Sequence, residues 1–236
     1  MKAFSGAIAA LLLTTSASYA ADLMDEVYVP DVAAGVEDWS GFYVGGTVGG
    51  GLFSSTFSDF DENISYGSVD LSDWGFSAGG TVGMNAQFGS GVVGIEADLN
   101  WSNLGASFYD NLYDTDHERM WDWYSTVRLR AGLAVDKTLF YATAGLAAVQ
   151  VNFKGDYSPE NDCGDYDGYC LEELQFGLAA GVGVEYMVSD NVSVKVEGLY
   201  VGLPTTYVDD DYDDDVDAYA VSSSAAIVRG GFNFHF

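Results

Sequence analysis

The chain has 236 residues, of which 48% are hydrophobic and 19% charged, and its 36 acidic and 8 basic residues give a formal net charge of −28. This charge argues against a nucleic-acid binder, because contacts to phosphates need clustered cations. The apolar and aromatic content is too high for a chain that is disordered throughout, and the length suits one domain with a full core.

Residues 1–20 have the pattern of a secretory signal peptide. Lys2 precedes a short apolar stretch, and Ser18 and Ala20 occupy the −3 and −1 positions of a cleavage site. The apolar stretch is too short to span a membrane, and no later run of 18 apolar residues predicts a transmembrane helix. We therefore predict an exported protein whose mature chain begins with an acidic leader at residues 21–38.

From residue 39 onward, alternation of apolar and polar residues with a period of two predicts eight β-strands. We place these strands at residues 41–53, 74–88, 92–104, 122–135, 138–153, 173–187, 191–203 and 219–236. Short turns at 89–91, 136–137 and 189–191 alternate with long acidic connections. The long connections are placed at 54–73, 105–121, 154–172 and 204–218. This alternation is typical of an up-and-down meander with all tight turns at one end.

In several strands, one face is apolar and the other face carries the charges. The third strand, for example, has Ile95 and Leu99 on one face and Glu96 and Asp98 on the other. The charged faces together hold four acids and four bases, namely Glu96, Asp98, Arg128, Arg130, Glu185, Lys195, Glu197 and Arg229. A neutral set in so acidic a chain predicts pairing inside a closed interior, because an unpaired buried charge is very costly.

We therefore predict a barrel with its charges inside and its apolar face in lipid, since a closed barrel leaves no backbone group unsatisfied there. The alternative is a soluble barrel or sandwich with the apolar face inward. Glycines on the charged face are expected to leave room for ion pairs. They are Gly45, Gly49, Gly79, Gly83, Gly177, Gly181 and Gly183.

Aromatic residues near the strand ends are expected to form two girdles at the lipid–water interfaces. The girdle at the short-turn end is predicted to contain Phe42, Phe88, Tyr141, Tyr186, Phe234 and Phe236. The girdle at the long-loop end is predicted to contain Trp74, Trp101, Trp123, Phe153, Phe176 and Tyr200.

The segments WSGFYVGG at 39–46 and GGFNFHF at 230–236 carry a family resemblance. They resemble the small outer-membrane β-barrel (surface antigen, porin-like) family of alphaproteobacteria, whose eight-stranded barrel is like the N-terminal domain of outer-membrane protein A. The resemblance covers about 39–236. It implies outer-membrane location, periplasmic turns, long extracellular loops and no shared catalytic residues. The terminal Phe236 resembles the signal that the barrel-assembly machinery reads.

The long loops offer two further expectations. The acidic run before the last strand is interpreted as a solvated rim, with weak binding of Ca²⁺ or Mg²⁺ as the alternative. Its candidate ligands are Asp209, Asp211, Asp213 and Asp215. The sole cysteines, Cys163 and Cys170, predict a disulfide in an exported protein.

The sequence predicts no enzyme and no cofactor, because only His117 and His235 are present as histidine bases and no G-x-S-x-G motif accompanies them. We expect a structural, surface-exposed barrel that contributes to envelope integrity. Its expected partners are outer-membrane lipid, lipopolysaccharide and the assembly machinery. A small passive porin is the alternative, and a lipid-modifying enzyme that uses His117 is a third hypothesis.

Overall fold

The computed structural model describes residues 36–59, 69–110, 115–156, 168–210 and 217–236. These residues form antiparallel strands joined by turns, and none of the described segments is a helix with the length and hydropathy of a membrane span. The strands are β1 (Gly41–Asp59), β2 (Val69–Phe88), β3 (Gly91–Asp110), β4 (Thr115–Val135), β5 (Thr138–Asp156), β6 (Gly168–Ser189), β7 (Val192–Gly202), β8 (Thr206–Asp210) and β9 (Asp217–His235).

The sheet closes on itself. Strands β1 to β6 each pair with the next strand in the chain, β7 pairs with β9, and β9 returns to pair with β1 from Tyr43↔His235 to Asp59↔Tyr219. Strands β7 and β8 lie in line along β9, so the nine segments make eight barrel strands. Pro204 lies in the break between them, where its missing N–H breaks no ladder bond. The predicted eight-stranded antiparallel barrel is confirmed.

Most strand boundaries at the end opposite the short turns were predicted wrongly. β1 runs to Asp59 and β2 starts at Val69, within the connection predicted at 54–73. The other three long connections are shortened in the same way by β3, β4, β5, β6, β8 and β9. Acidic and other polar residues are frequent in these extensions and the alternation with a period of two is weak, yet their backbone groups still pair across the sheet.

The tight turns join strands at one end of the barrel, as expected. The hairpin between β2 and β3 turns at Gly89, which has a φ of +63°, and the hairpin between β4 and β5 turns at Asp136, with a φ of +52°. Two-residue hairpin loops need positive φ values to match the twist of the flanking strands. Gly, Asp and Asn adopt that conformation more readily than other residues.

The outward face of the barrel is a continuous apolar surface. Leu129, Leu178 and Val228 are 66–70% exposed there, and similar residues recur on each of the long strands. Of the predicted girdle residues, Tyr141 was assigned to the wrong face, because it is buried inside the barrel. Trp123 is half-buried, and the side chain of Phe153 lies outside the described set.

The inward face has three layers instead of one charged lining. Near the short turns lies an apolar layer formed by Trp39, Val92, Ala134, Leu139, Tyr141 and Met187. The charged side chains form the middle layer. Above them lies a second apolar layer, which includes Phe53, Leu104, Trp121, Val149, Val201 and Ile227. The interior is therefore filled by side chains at every level that the structure describes, as an eight-stranded barrel allows.

Candidate functional site

The middle layer brings together all eight charged residues named from the sequence. Each lies at an inward-facing position, and three pairs are direct cross-strand neighbours: Glu96↔Arg128, Glu185↔Lys195 and Glu197↔Arg229. Because side chains alternate between the two faces of a strand, positions 96 and 98 of β3 and 128 and 130 of β4 project into the same interior. All eight are almost completely buried.

Arg128 is the centre of this layer. Its Nη2 lies 2.6 Å from Glu96 Oε1 and 2.9 Å from Asp98 Oδ2, and its Nη1 contacts a carboxylate oxygen of Glu197. Nη1 also donates a hydrogen bond to Thr143 Oγ1 at 2.7 Å. One guanidinium thus serves three carboxylates from β3 and β7, which a planar group with five N–H donors can do.

Two further cations balance the same carboxylates. Arg229 Nη2 lies 3.0 Å from Asp98 Oδ2 and 2.8 Å from Glu197 Oε2, and Lys195 Nζ lies 2.8 Å from Glu96 Oε2. Lys195 reaches Glu96 on the opposite wall and not its cross-strand neighbour Glu185. The result is a connected network across the barrel, in which each carboxylate contacts two or more cations.

Arg130 and Glu185 form a second cluster closer to the short turns. Their side chains make a direct ion pair, and Glu185 Oε1 also accepts a hydrogen bond from Asn233 Nδ2 at 2.6 Å. Ser193 Oγ donates to Glu185 and lies 2.9 Å from His235 Nε2. This cluster satisfies the buried carboxylate from several sides.

Two inward-facing tyrosines connect and cover the charged clusters. Tyr43 donates its hydroxyl proton to Glu96 at 2.9 Å and accepts from Arg130 Nη1 at 3.3 Å. The guanidinium of Arg130 stacks on the ring of Tyr141, 3.8 Å from its centroid. Such stacking suits an arginine that is shielded from water.

Some of the inward glycines make room for these tyrosine rings. A Cβ on Gly83 would overlap the ring of Tyr43, and a Cβ on Gly183 would lie 2.5 Å from that of Tyr141. The expectation that glycines leave room for ion pairs holds at Gly181, where a Cβ would lie 3.1 Å from Glu197 Oε1. At Gly83 and Gly183 the neighbour that needs the space is aromatic.

The segment before β1 closes the short-turn mouth of the barrel. Trp39 is fully buried, and its ring packs edge-on against His235 with centroids 5.7 Å apart. Gln87 holds the segment in place: its Oε1 accepts from Trp39 N–H at 2.8 Å, and its Nε2 donates to the Glu37 carbonyl at 3.2 Å. The Glu37 N–H donates to the Asp136 carbonyl at 2.9 Å. Residues 36–40 therefore form a stopper.

Ser193, His235 and Glu185 have the residue types of a hydrolase triad but not its arrangement. In such a triad the acid orients the histidine, which takes the proton of the serine. Here Glu185 accepts from the serine hydroxyl itself and lies 3.6 Å from His235 Nε2, the same nitrogen that contacts Ser193. The serine is fully buried below the charged layer, so the cluster is a packed polar network.

Several predicted site residues lie outside the described set. Cys163, Asp211, Asp213 and Asp215 fall within segments that the structure leaves undescribed. Cys170 and Asp209 belong to strands β6 and β8, but their side chains are not described, and neither is that of His117 in β4. Within the described residues, no group of three or more His, Cys, Asp or Glu side chains is placed to hold a metal ion.

Sequence reasoning missed the two apolar layers inside the barrel. One usable signal was the stretch at 139–151, where inward Leu139 and Val149 alternate with equally apolar outward residues. A strand that is apolar on both faces is typical of a barrel wall between lipid and a dry interior. The inward position of Trp121 could not be predicted from alternation. A register shift between Trp121 and Trp123 breaks the alternation and turns Trp121 inward.

Comparisons with known proteins place the chain in a family. The model of the outer membrane protein β-barrel domain matches residues 7–226. The 31 kDa outer-membrane immunogenic protein of Brucella melitensis biotype 1 is 34% identical over 219 residues, which cover 86% of this chain and 88% of that protein. The 22 kDa outer membrane protein of Rhizobium leguminosarum bv. viciae is 31% identical over 198 residues, covering 84% and 78% of the two chains.

Solved structures similar to the barrel include Neisserial surface protein A, with 17% identity, a TM-score of 0.43, and coverage of 84% of this chain and 98% of that one. The relatives described here are named as outer-membrane proteins, which agrees with the apolar outer surface and the closed sheet. The chain is therefore an outer-membrane protein that belongs to the outer membrane protein β-barrel domain family.

Proposed function

We propose that this protein is a closed structural barrel of the outer membrane that contributes to envelope integrity and presents acidic loops outside. The observation that carries the proposal is the filled interior. A neutral network of eight buried charges lies between two apolar layers, and Trp39 covers the short-turn mouth. Water would have to displace these paired side chains to pass, and buried ion pairs resist separation.

Conductance of the purified protein in planar lipid bilayers tests the closed barrel. We expect no steady single-channel steps for the unaltered protein. The double variant Arg128→Ala and Arg130→Ala removes one arginine from each of the two charged clusters, so we expect it to leak. Steady steps in the unaltered protein would favour the alternative, a passive porin, and would overturn the closed barrel.

The envelope role is tested separately in cells. A strain that lacks the protein should become more sensitive to detergent and to chelators, and the unaltered gene should restore resistance. Equal sensitivity with and without the protein would contradict the envelope role, even if the barrel proved closed.

We propose no catalytic activity for this barrel. The arrangement of Ser193, His235 and Glu185 supports this view, because the acid contacts the nucleophile and not the far side of the base. Mass analysis of lipid A from cells with the unaltered protein and with His117→Ala tests it. A lipid A species that depends on His117 would show that the protein modifies lipid.

The C-terminal strand supports a proposed interaction with the barrel-assembly machinery. Strand β9 forms the closing seam with β1, and Phe236 follows it with a strongly exposed ring that packs against Phe234 at 5.2 Å. An exposed aromatic ring beside this seam is accessible to a protein partner.

A further inference from the structure

A groove lies on the outer surface of the barrel where the pairing of β6 with β7 ends. The paired residues run as far as Leu178↔Gly202. Beyond that point Leu203 still donates its N–H to the Ser223 carbonyl of β9 at 2.9 Å, while Pro204 has no N–H to offer. The chain therefore keeps its contact with β9 and leaves β6, which opens a depression in the wall.

The groove has a volume of about 690 Å³ and is open toward the outside of the barrel. The larger side chains that line the groove are Leu146, Phe176, Leu178, Tyr200 and Pro204. Small residues such as Gly202 and Ala180 lie at its bottom and give it depth. Apart from the Tyr200 hydroxyl, the side chains that line it are hydrocarbon. Such a lining selects a flexible apolar ligand without a polar group at its buried end.

The position of the groove indicates which molecule meets it. Leu146, Phe176 and Leu178 are 66–68% exposed on the outward face, so the groove is continuous with the surface that contacts membrane lipid. From Tyr186 to Phe176 along β6, a rise of about 3.3 Å per residue and a tilt of about 40° give a height of about 25 Å.

The height between Tyr186 and Phe176 matches the apolar band of outer-membrane barrels, which is about 25 Å tall. Tyr186 lies near the short turns, which face the periplasm in such barrels. The groove consequently opens at the outer-leaflet boundary, where the lipid is lipopolysaccharide and its acyl chains begin.

We propose that this groove is a binding site for one acyl chain of lipopolysaccharide. The chain enters between Phe176 and Tyr200 and lies over Gly202 and Ala180, where it is enclosed on more sides than a chain against the smooth wall. The site would hold a lipopolysaccharide molecule at the β6–β7 seam and cover the place where the two strands part.

Two glycines on β7 provide a matched pair of variants. A Cβ on Gly202 would meet only the ring of Tyr200, at 3.2 Å, so a leucine there can be accommodated and would occupy the groove. A Cβ on Gly198, on the same strand and the same face, meets nothing within 4 Å and lies outside the groove. Gly202→Leu therefore fills the site, and Gly198→Leu adds the same side chain elsewhere.

The experiment measures lipid that remains on the full-length barrel by native mass spectrometry, after incubation in detergent with equal amounts of lipopolysaccharide and phosphatidylethanolamine. We expect the unaltered protein and Gly198→Leu to retain one lipopolysaccharide, and Gly202→Leu to retain about tenfold less, equivalent to about 1.4 kcal/mol. Heat-modifiable gel migration verifies folding. If Gly202→Leu does not fold, Ala180→Phe fills the same groove from β6.

The proposal would be overturned if Gly202→Leu retained as much lipopolysaccharide as the unaltered protein. It would also be overturned if Gly198→Leu lost as much lipopolysaccharide as Gly202→Leu. Preferential retention of phosphatidylethanolamine by the unaltered protein would overturn it as well, because that lipid would place the site in the other leaflet. None of these outcomes depends on whether the interior conducts, so the test is independent of the closed-barrel proposal.

Discussion

Substituting Arg128 by methionine tests how far the barrel depends on its internal charge network. The change removes ion pairs to Glu96, Asp98 and Glu197 and leaves four carboxylates against three cations in the middle layer. Asp98 and Glu197 keep Arg229, and Glu96 keeps Lys195. The excess negative charge nevertheless remains buried, because methionine fills much of the vacated volume and admits little water.

Breaking a buried ion pair from one side costs about 3–5 kcal/mol, because the remaining charge stays desolvated. We expect Arg128→Met to lower the free energy of unfolding by an amount in this range. Adding Glu197→Gln restores equal numbers of acids and bases, so the double variant should recover about 1–3 kcal/mol of that loss. The control Lys137→Met, at an exposed turn position, should stay within about 0.5 kcal/mol of the unaltered protein.

The assay is urea unfolding of the protein folded into lipid vesicles, followed by tryptophan fluorescence and checked by heat-modifiable gel migration. A loss below about 1 kcal/mol for Arg128→Met, no larger than that of an ordinary substitution, would show that the network is not needed for stability. A double variant less stable than Arg128→Met alone would contradict the role assigned to charge balance.

Four further outcomes follow from the structure. Trp39→Ala should lower the free energy of unfolding by about 3 kcal/mol, because it removes a fully buried indole, yet bilayer conductance should not rise while the charged layer is intact; channel steps from this variant would mean that the stopper alone closes the barrel. Gly83→Val should cost about 1–3 kcal/mol because its side chain meets the ring of Tyr43, and adding Tyr43→Ala should return part of that loss in the same urea assay; no recovery would point to another cause. Phe236→Ala should reduce the fraction of protein that reaches the heat-modifiable form in cells, and an unchanged fraction would exclude the terminal ring as an assembly signal. Raising the salt concentration to about 1 M should change the stability little, because buried pairs are poorly screened; a large loss would imply that the network is exposed to solvent.

The fold and the charged layer could be predicted because both depend on local alternation. Glu96 and Asp98 share a face in any extended strand, and the neutral sum of the inward charges indicates that they meet. The contacts could not be predicted. That Lys195 reaches Glu96 across the barrel, while Arg130 pairs with Glu185, depends on which walls face each other after closure.

The inward placement of Tyr141 and Trp121 was also beyond the sequence pattern. Tyr141 lies in a strand that is apolar on both faces, so alternation gives no preference for either side. It faces inward because its ring fits over Gly183 and against Arg130, and both neighbours come from other strands. Trp121 depends on a register shift that its own sequence does not reveal.

The order of apolar and polar residues along the chain is enough to specify eight strands, an apolar outer face and a set of inward charges, because those properties repeat every two residues within one strand. Closure of the sheet decided which side chains meet inside the barrel and where the strand pairing ends. It brought opposite walls close enough for Arg128 to contact three carboxylates, placed Trp39 beneath His235, and ended the β6–β7 pairing at Gly202. Those features arise between residues far apart in sequence, whose relative positions are set only when the last strand pairs with the first.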